Sequence, residues 1–397
     1  MNKTTMNIGV SGAGRTAGLA SYLAEHDGIV IRGGYDPDQA RMKSRLKDFN
    51  NPVAIVYRSF QEMLDDPMID WVMIGSPNNR HCEQIIAAFR AGKHVFSEKP
   101  LATTIEECLA IVKAHAESGL QLAMGFCLRY ALLYRRAKEI LKSGRLGKVI
   151  SIAANENINP GHGAYIMSQW RRHKEIAGPH ILEKCSHDLD ILNWLTGSIP
   201  RRVAAFGGTD FFVPENRHLL DNPKQRENMD SFNSFYRLHK YWDQGTDPFT
   251  SEKNIEDNIV TIIEYFNGAR AQFQATMCNT MPERRMYLNC TEGNMVLDQY
   301  AAYLRYQSLS DSEPQNVPLA EFHDAHLEGY QKVHSDADRS IMHELADTIR
   351  TGLPAQCSSQ EGMIGSVTAI MIDKARAAGQ ILDLTETWKS LGIQPQQ

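Results

Sequence analysis

Met6-Asn7-Ile8-Gly9-Val10-Ser11-Gly12-Ala13-Gly14-Arg15-Thr16-Ala17 is the stretch on which the fold of the first third of this chain turns. An apolar run of strand length enters a glycine turn, and the turn opens the helical pattern Thr16–Glu25. A second apolar run, Ile29–Tyr35, follows and ends at Asp36. Strand, glycine turn, helix, strand and acid in that order mark a parallel β-α-β unit. Working outward, apolar runs at Ala54–Val56, Trp71–Gly75, His94–Phe96 and Gln121–Gly125 alternate with helical patterns near Asp38–Lys47, Ser59–Leu64, Asn79–Ala91 and Ile105–Ser118. The runs are apolar without alternation, as in strands covered on both faces. The pattern predicts an α/β fold whose first domain, residues 1–125, is a doubly wound parallel sheet.

The pattern changes after Gly125. A helix at Leu132–Lys142 is followed by a long strand at Gly147–Asn157. Arg202–Gly207, Asn258–Phe266, Ala269–Met277, Arg285–Cys290, Asn294–Leu297 and Ala302–Gln307 then suit a large, open, mostly antiparallel sheet. Asn267-Gly268 between two of these is a hairpin signal. Residues 126–397 are thus expected to form a second, α+β domain that binds substrate. Its closing helices, Asp338–Arg350 and Gln360–Ala378 within 338–378, are placed to pack back toward the first domain. Residues 211–256 are polar, aromatic-rich and aperiodic, and are expected to be an insertion serving as a lid or substrate loop. No internal repeat is visible.

A chain of 397 residues exceeds one ordinary core, which supports two domains. A hydrophobic share of 42% with 22% charged residues describes a globular protein, and a net charge of -5 disfavours nucleic acid or an anionic membrane as partner. Arg171-Arg172 and Arg284-Arg285 are expected to be solvated pairs. No apolar segment has bilayer-spanning length, and Met1–Thr5 lacks a signal peptide's apolar core. The cysteines Cys82, Cys108, Cys127, Cys185, Cys278, Cys290 and Cys357 are scattered, without a Cys-x-x-Cys pair. They suit reduced thiols in the cytoplasm, and no spacing calls for a metal.

The chemistry of the glycine turn follows from its spacing. Gly12 permits a tight turn, Gly14 lets backbone approach a pyrophosphate, and small Ala17 allows close helix–strand packing. With Ala13, Arg15 and Thr16 these residues open a helix whose N–H groups and partial positive charge suit an anion. Asp36, roughly two dozen residues after Gly12, stands where an acid binds ribose hydroxyls. Its charge repels a 2′-phosphate, so NAD is expected rather than NADP. Arg15 together with Arg41 offers the alternative of accepting that phosphate.

Two further clusters carry chemistry. Ser76-Pro77-Asn78-Asn79-Arg80-His81 follows one apolar run, and Glu98-Lys99-Pro100 ends the next. Both fall at the C-terminal ends of strands, where open parallel sheets bind ligands. Lys99, held extended before proline, is aimed into a cleft. The other cluster runs from Gly178 to Asp190. A helix beginning near Glu183 would set that carboxylate and His187 on one face at i,i+4, orienting a general base. Oxidation of a secondary alcohol needs such a base and a cation for the developing alkoxide. His187 is expected to be the base and Lys99 the cation, with Glu183, Lys184 and Asp190 holding neighbouring hydroxyls. A capping cluster on an amphipathic helix, with His187 in the core, is the competing structural reading.

Together these motifs resemble the glucose–fructose oxidoreductase / inositol dehydrogenase / rhizopine catabolism (Gfo/Idh/MocA) family of NAD(P)-dependent sugar oxidoreductases. The resemblance rests on Gly12-Ala13-Gly14, Asp36, Ser76-Pro77-Asn78 with His81, Ala91-Gly92-Lys93-His94, Glu98-Lys99-Pro100 and the Glu183…His187…Asp190 spacing. It implies a Rossmann domain followed by a domain whose open sheet mediates homodimers or homotetramers. It also implies Lys99 beside the nicotinamide, an acid–base His187 and a cis Lys99–Pro100 peptide. Glu183 departs from the family's usual aspartate, and Lys184 adds a second candidate cation. Arg129, Asn157, Trp170 and Arg171 are candidate substrate contacts, as is Tyr130. The expected activity is NAD-dependent oxidation of a ring hydroxyl of a sugar, glycoside or cyclitol. The alternative is NAD-dependent glycoside cleavage without net redox, with His162 or Tyr165 as the additional base. A non-catalytic sugar or nucleotide sensor is the third reading.

Overall fold

The structure, a computed structural model, describes residues 5–231, 233–243, 245–318 and 329–394. Phe232 and Gln244 of the expected insertion, and four of the residues considered for a leader, lie outside that set. The chain divides into two compact units, Met1–Tyr130 with Ser335–Val367, and Ala131–His334 with Thr368–Gln397. The first unit thus takes in part of the closing helices.

In the first unit six strands, β1 (Met6–Ser11), β2 (Ile29–Tyr35), β3 (Ile55–Val56), β4 (Trp71–Ile74), β5 (His94–Ser97) and β6 (Leu122–Met124), form one sheet in the order β3-β2-β1-β4-β5-β6. Every pairing is parallel. Val72, Met73, Ile74, Val95 and Phe96 are fully buried, which explains why the strands show no alternation. Local chemistry sets the helix ends. Asp38, Ser59 and Thr104 each accept a backbone N–H from their own first turn, starting Gln39–Arg45, Phe60–Asp65 and Ile105–Ser118. Strand order reverses between β1 and β4, and that switch point is where open α/β sheets bind ligands.

The second unit is built on nine strands: β7 (Val149–Asn157), β8 (Pro200–Gly208), β9 (Asn258–Tyr265), β10 (Arg270–Thr276), β11 (Arg285–Cys290), β12 (Gly293–Asp298), β13 (Tyr303–Ser308), β14 (Gln315–Asn316) and β15 (Leu382–Asp383). Their order is β14-β13-β12-β11-β7-β10-β9-β8-β15, antiparallel except where β10 lies parallel to β7. Alternation is clean here. Ile259, Ile263, Phe273, Met286, Leu288, Met295 and Leu297 are buried on one face. The helices Leu132–Lys142 and Ser186–Thr196 pack together, and the second also lies against β7. Gly268 takes φ 86° in the β9–β10 turn, a conformation suited to glycine.

The stretch 211–256 is more ordered than its polar composition suggests. It contains the turns Pro214–Asp221 and Phe235–Tyr241 and the short helix Pro223–Glu227. Phe211, Phe212, Phe235 and Phe249 pack against one another, with ring centroids 5.0 to 6.3 Å apart. Ile158, Ile166 and Met167 join the same cluster, so the insertion is nailed to the helix Pro160–Met167. The Asp257 carboxylate accepts N–H bonds from Asp210, Phe211 and Phe212 at 2.9, 2.9 and 2.7 Å, which pins the start of the insertion to its end. Because Phe249 is fully buried, Phe249→Ala is expected to cost about 3–5 kcal/mol. Urea unfolding should show a lowered midpoint; an unchanged midpoint would mean that the insertion lies outside the cooperative core.

Candidate functional site

At the end of β1 the backbone turns at Gly12 with φ 100°. A Cβ at Gly12 would lie 2.6 Å from the Gly75 carbonyl oxygen, so only glycine fits. Gly12 N–H donates to Tyr35 O at 2.8 Å and Gly75 N–H to Ser11 O at 2.9 Å, joining the ends of three strands. The Asp36 carboxylate accepts from Ala13 N–H at 2.7 Å and from Asp38 N–H at 2.9 Å. Space around Gly14 is open, the nearest atom to an added Cβ being Arg41 Nη2 at 3.8 Å. The helix Arg15–Leu23 has no side-chain cap and no acid in its first turn. Its first N–H groups are therefore left to an external anion, and the residues fit the pyrophosphate of a dinucleotide.

Not every residue assigned to this loop faces a ligand. Thr16 is buried beneath Gly75, where a Cβ would meet its Oγ1 at 1.6 Å. Thr16 therefore packs the turn rather than presenting its hydroxyl. Arg15 Nε lies 3.2 Å from Glu98 Oε1, and its Nη2 lies 2.5 Å from Asp338 Oδ1. Two carboxylates thus offset the charge that the sequence offered to a 2′-phosphate. Ser11 and Ser76 hydroxyls both donate to Gln84 Oε1, at 3.1 and 2.9 Å.

His81 is buried, with Nδ1 2.7 Å from Pro100 O and Nε2 3.1 Å from Ser76 O. Both ring nitrogens are engaged, so it ties the Ser76 loop to the Lys99–Pro100 loop instead of reaching a cofactor. Burial pushes its imidazole below the ordinary range, against the pull of those two carbonyls. Asn78 is buried and Pro77 precedes its turn. Glu98 is buried and the half-buried Lys99 follows it at the end of β5. The Lys99–Pro100 peptide is cis. Arg129 belongs to this unit, in the turn Cys127–Tyr130.

In the second unit the expected helix from Glu183 is broken. A short helix, His180–Glu183, ends at Lys184, and a new one, Ser186–Thr196, starts after Cys185. The predicted Glu183–His187 arrangement on one continuous helix is corrected accordingly. Glu183 Oε1 accepts from Arg171 Nε at 2.9 Å. Arg171 also lies over the Trp170 and Tyr165 rings, 4.3 and 5.1 Å from their centroids. His187 and Asp190 are both buried on the second helix. Asn157, at the end of β7, accepts from the Thr276 hydroxyl at 3.0 Å. Burial, then Lys184, pushes the His162 imidazole well below its ordinary range, while Glu183 pulls it back.

Three residues of this interior escaped the sequence reading. Arg284 is 1% exposed, which overturns the expectation of a solvated Arg284-Arg285 pair. Its Nε and Nη2 donate to Asp188 at 2.7 and 2.6 Å, and Nε lies 2.6 Å from Glu156 Oε2. Lys184 Nζ lies 3.3 Å from Glu156 Oε1. A signal was present for Glu156. Strand alternation puts it on the face of Ile152 and Ala154, and a buried carboxylate needs cationic partners.

Family models described as "Oxidoreductase family, NAD-binding Rossmann fold" and "Oxidoreductase family, C-terminal alpha/beta domain" match residues 6–126 and 138–384. The chain belongs to this Gfo/Idh/MocA oxidoreductase family, and its first domain is the NAD-binding Rossmann domain. Over 250 residues it is 34% identical to 1,5-anhydro-D-fructose reductase of Ensifer adhaerens, covering 62% of each chain. Over 204 residues it is 30% identical to 2,7-anhydro-N-acetylneuraminate hydratase of Escherichia coli (strain K12), covering 51% of this chain and 53% of that one. The chain thus spans between half and two thirds of those two relatives. A solved structure of levoglucosan dehydrogenase with NADH and levoglucosan superposes with TM-score 0.77 at 20% identity, over 96% of this chain and 99% of that one; it shares the fold. Among the described residues no helix is long and apolar enough to cross a membrane.

Gly12→Ala is expected to weaken NADH binding by tenfold or more, since the added methyl must displace the Gly75 carbonyl. Tenfold corresponds to about 1.4 kcal/mol. Fluorescence titration checks it, and an unchanged dissociation constant would mean that the dinucleotide does not use this turn.

Proposed function

We propose that this protein is an NAD-dependent dehydrogenase acting on a secondary hydroxyl of a sugar, glycoside or cyclitol. The observation that carries the reading is the pairing, in one chain, of an NAD-binding domain whose β5 leads into Lys99 with a second domain whose buried helix begins at Ser186-His187. His187 takes the hydroxyl proton as general base. Lys99 supplies the positive charge that favours the alkoxide, with Lys184 as the second cation. A nicotinamide held by the glycine turn and the Ser76-Pro77-Asn78 loop would supply the hydride acceptor for the carbinol carbon. Asp190, Asn157, Trp170, Arg171 and Arg129 orient the ring, Arg171 through the guanidinium that Glu183 holds. Gly12, Ala13, Gly14 and the Ser76-Pro77-Asn78 loop hold the dinucleotide, and Asp36 selects NAD over NADP.

A second reading is kept for one observation. Burial, then Lys184, disfavours the charged form of the His162 imidazole, and its ring lies 5.9 Å from that of Tyr165. A neutral imidazole suits removal of a proton alpha to a transient ketone, the extra step that glycoside cleavage without net redox requires.

The nine-stranded sheet also supports a homo-oligomer. Phe206, at 77% exposure, and Ile262, at 60%, stand out on one face with Val260 and Tyr287. An apolar face of this kind on a sheet is a protein–protein surface. We place a second copy of the chain on it, as a homodimer or homotetramer. Light scattering should report more than one chain per particle, and Ile262→Asp should lower that number; a monomer at micromolar concentration refutes the assignment.

Pyranoses, glycosides and inositols offered with NAD and with NADP, followed by absorbance and product together, test the activity. NADH forming in step with an oxidised product, with NAD preferred, is the expected result. Product without net change in cofactor supports cleavage instead, and no turnover across the panel would favour a sensor. With a substrate found, His187→Ala should lower turnover by roughly 10²-fold or more; a loss under about threefold at saturation removes His187 from that role.

A further inference from the structure

Three buried ionic side chains and the partly buried Lys184 join β7 to the helix that carries His187. Glu156 sits at 0% exposure on the inward face of β7. Its Oε1 faces Lys184 Nζ at 3.3 Å and its Oε2 faces Arg284 Nε at 2.6 Å. Arg284 also grips Asp188, the residue after His187. Its Nη1 reaches Gln299 Oε1 at 3.4 Å, and the Tyr134 hydroxyl donates to the same oxygen at 3.2 Å. Two carboxylates and two cations balance there, three of them dry and Lys184 with its side chain 12% exposed. Replacing such a set by apolar residues often leaves stability equal or higher, so its presence is not explained by stability alone.

We propose that Glu156 is a positioning residue that keeps Lys184 charged and aimed, while Arg284 fixes β7 against the start of the Ser186–Thr196 helix. The inference rests on the assignment of Lys184 and His187 to the reaction. Lys184 is nearly buried and its field reaches the half-buried His162 and the buried Cys185 and Asp188. In Glu156→Gln it would lose the carboxylate 3.3 Å away and meet Arg284 across an uncharged amide, with Asp188 still within reach of its field. An ammonium in that position sheds its proton, since desolvation and a like charge act in the same direction. Arg284 cannot answer by deprotonating, so the adjustment falls on Lys184.

The test is the titration of Lys184, read as the pH dependence of its acylation by an amine-selective reagent and located by mass spectrometry. In the unsubstituted protein Lys184 should react as an amine titrating at or above the ordinary lysine value of about 10.4. A profile centred below about 9 overturns the proposal whether or not any variant folds. In Glu156→Gln the profile should move down by one unit or more. An unmoved profile in a folded variant overturns it as well. These titrations need no substrate, so they can fail while the sugar assignment stands. With a substrate in hand, Glu156→Gln should lower kcat about tenfold at unchanged KM, and Glu156→Asp should restore part of it. A loss confined to KM contradicts a positioning role.

Discussion

The polar interior of the second unit depends on one guanidinium. Arg284 is a charge that cannot be neutralised by losing its proton, and it is shut away from water. It is stable there because Asp188 accepts two hydrogen bonds from it and the Glu156 carboxylate lies within ion-pair distance. Removing any one of the three would strand the others, a far larger penalty than the net worth of the pairs. The strand carrying Glu156, the helix carrying Asp188 and the residue entering β11 are therefore fixed together by charge as well as by apolar packing. His187 takes its place from that arrangement, because its chain neighbour is one of the three.

The first unit meets its requirements with backbone. Gly12 approaches the Gly75 carbonyl more closely than any side chain would permit, and Asp36 closes the loop on the Ala13 N–H. His81 does a similar task for the next two loops by bridging the carbonyls of Ser76 and Pro100. The consequence is a rim of strand ends whose geometry is set by main-chain contacts. Few side chains are committed to binding, which is why Thr16 and His81 proved to be packing and bridging residues.

Much of this was legible because apolar periodicity survives burial. β1, β2 and β11 run over the residues that their patterns predict. The hairpin at Asn267-Gly268 follows from turn chemistry alone. The two-residue strands β14 and β15 carry no period and were invisible. The break between Lys184 and Cys185 was equally hidden, since neither residue is a helix breaker. Arg284 departs from the expected solvated pair for a different reason. Adjacent residues in extended chain point to opposite faces, so Arg284-Arg285 could not both be solvated on one covered sheet. Arg285 remains half-exposed while its neighbour turns inward. The aromatic cluster of 211–256 was obscured by the polar residues between its rings.

The two units use ion pairs for different ends. Arg15, with its side chain 37% exposed, shares its charge between Glu98 and Asp338 under solvent screening. Such pairs contribute on the order of 0–1 kcal/mol and can rearrange at little cost. The Arg284 set is dry and held to one geometry. Catalysis by charge needs the second kind, because dipoles that reorganise during the reaction lose in reorganisation what they gain in attraction. A loop that must admit and release a dinucleotide is better served by the first. On this argument the fixed charges of the second unit are those that Arg284 locks, Asp188 and Glu156, whereas the Arg15 pairs of the first stay adjustable.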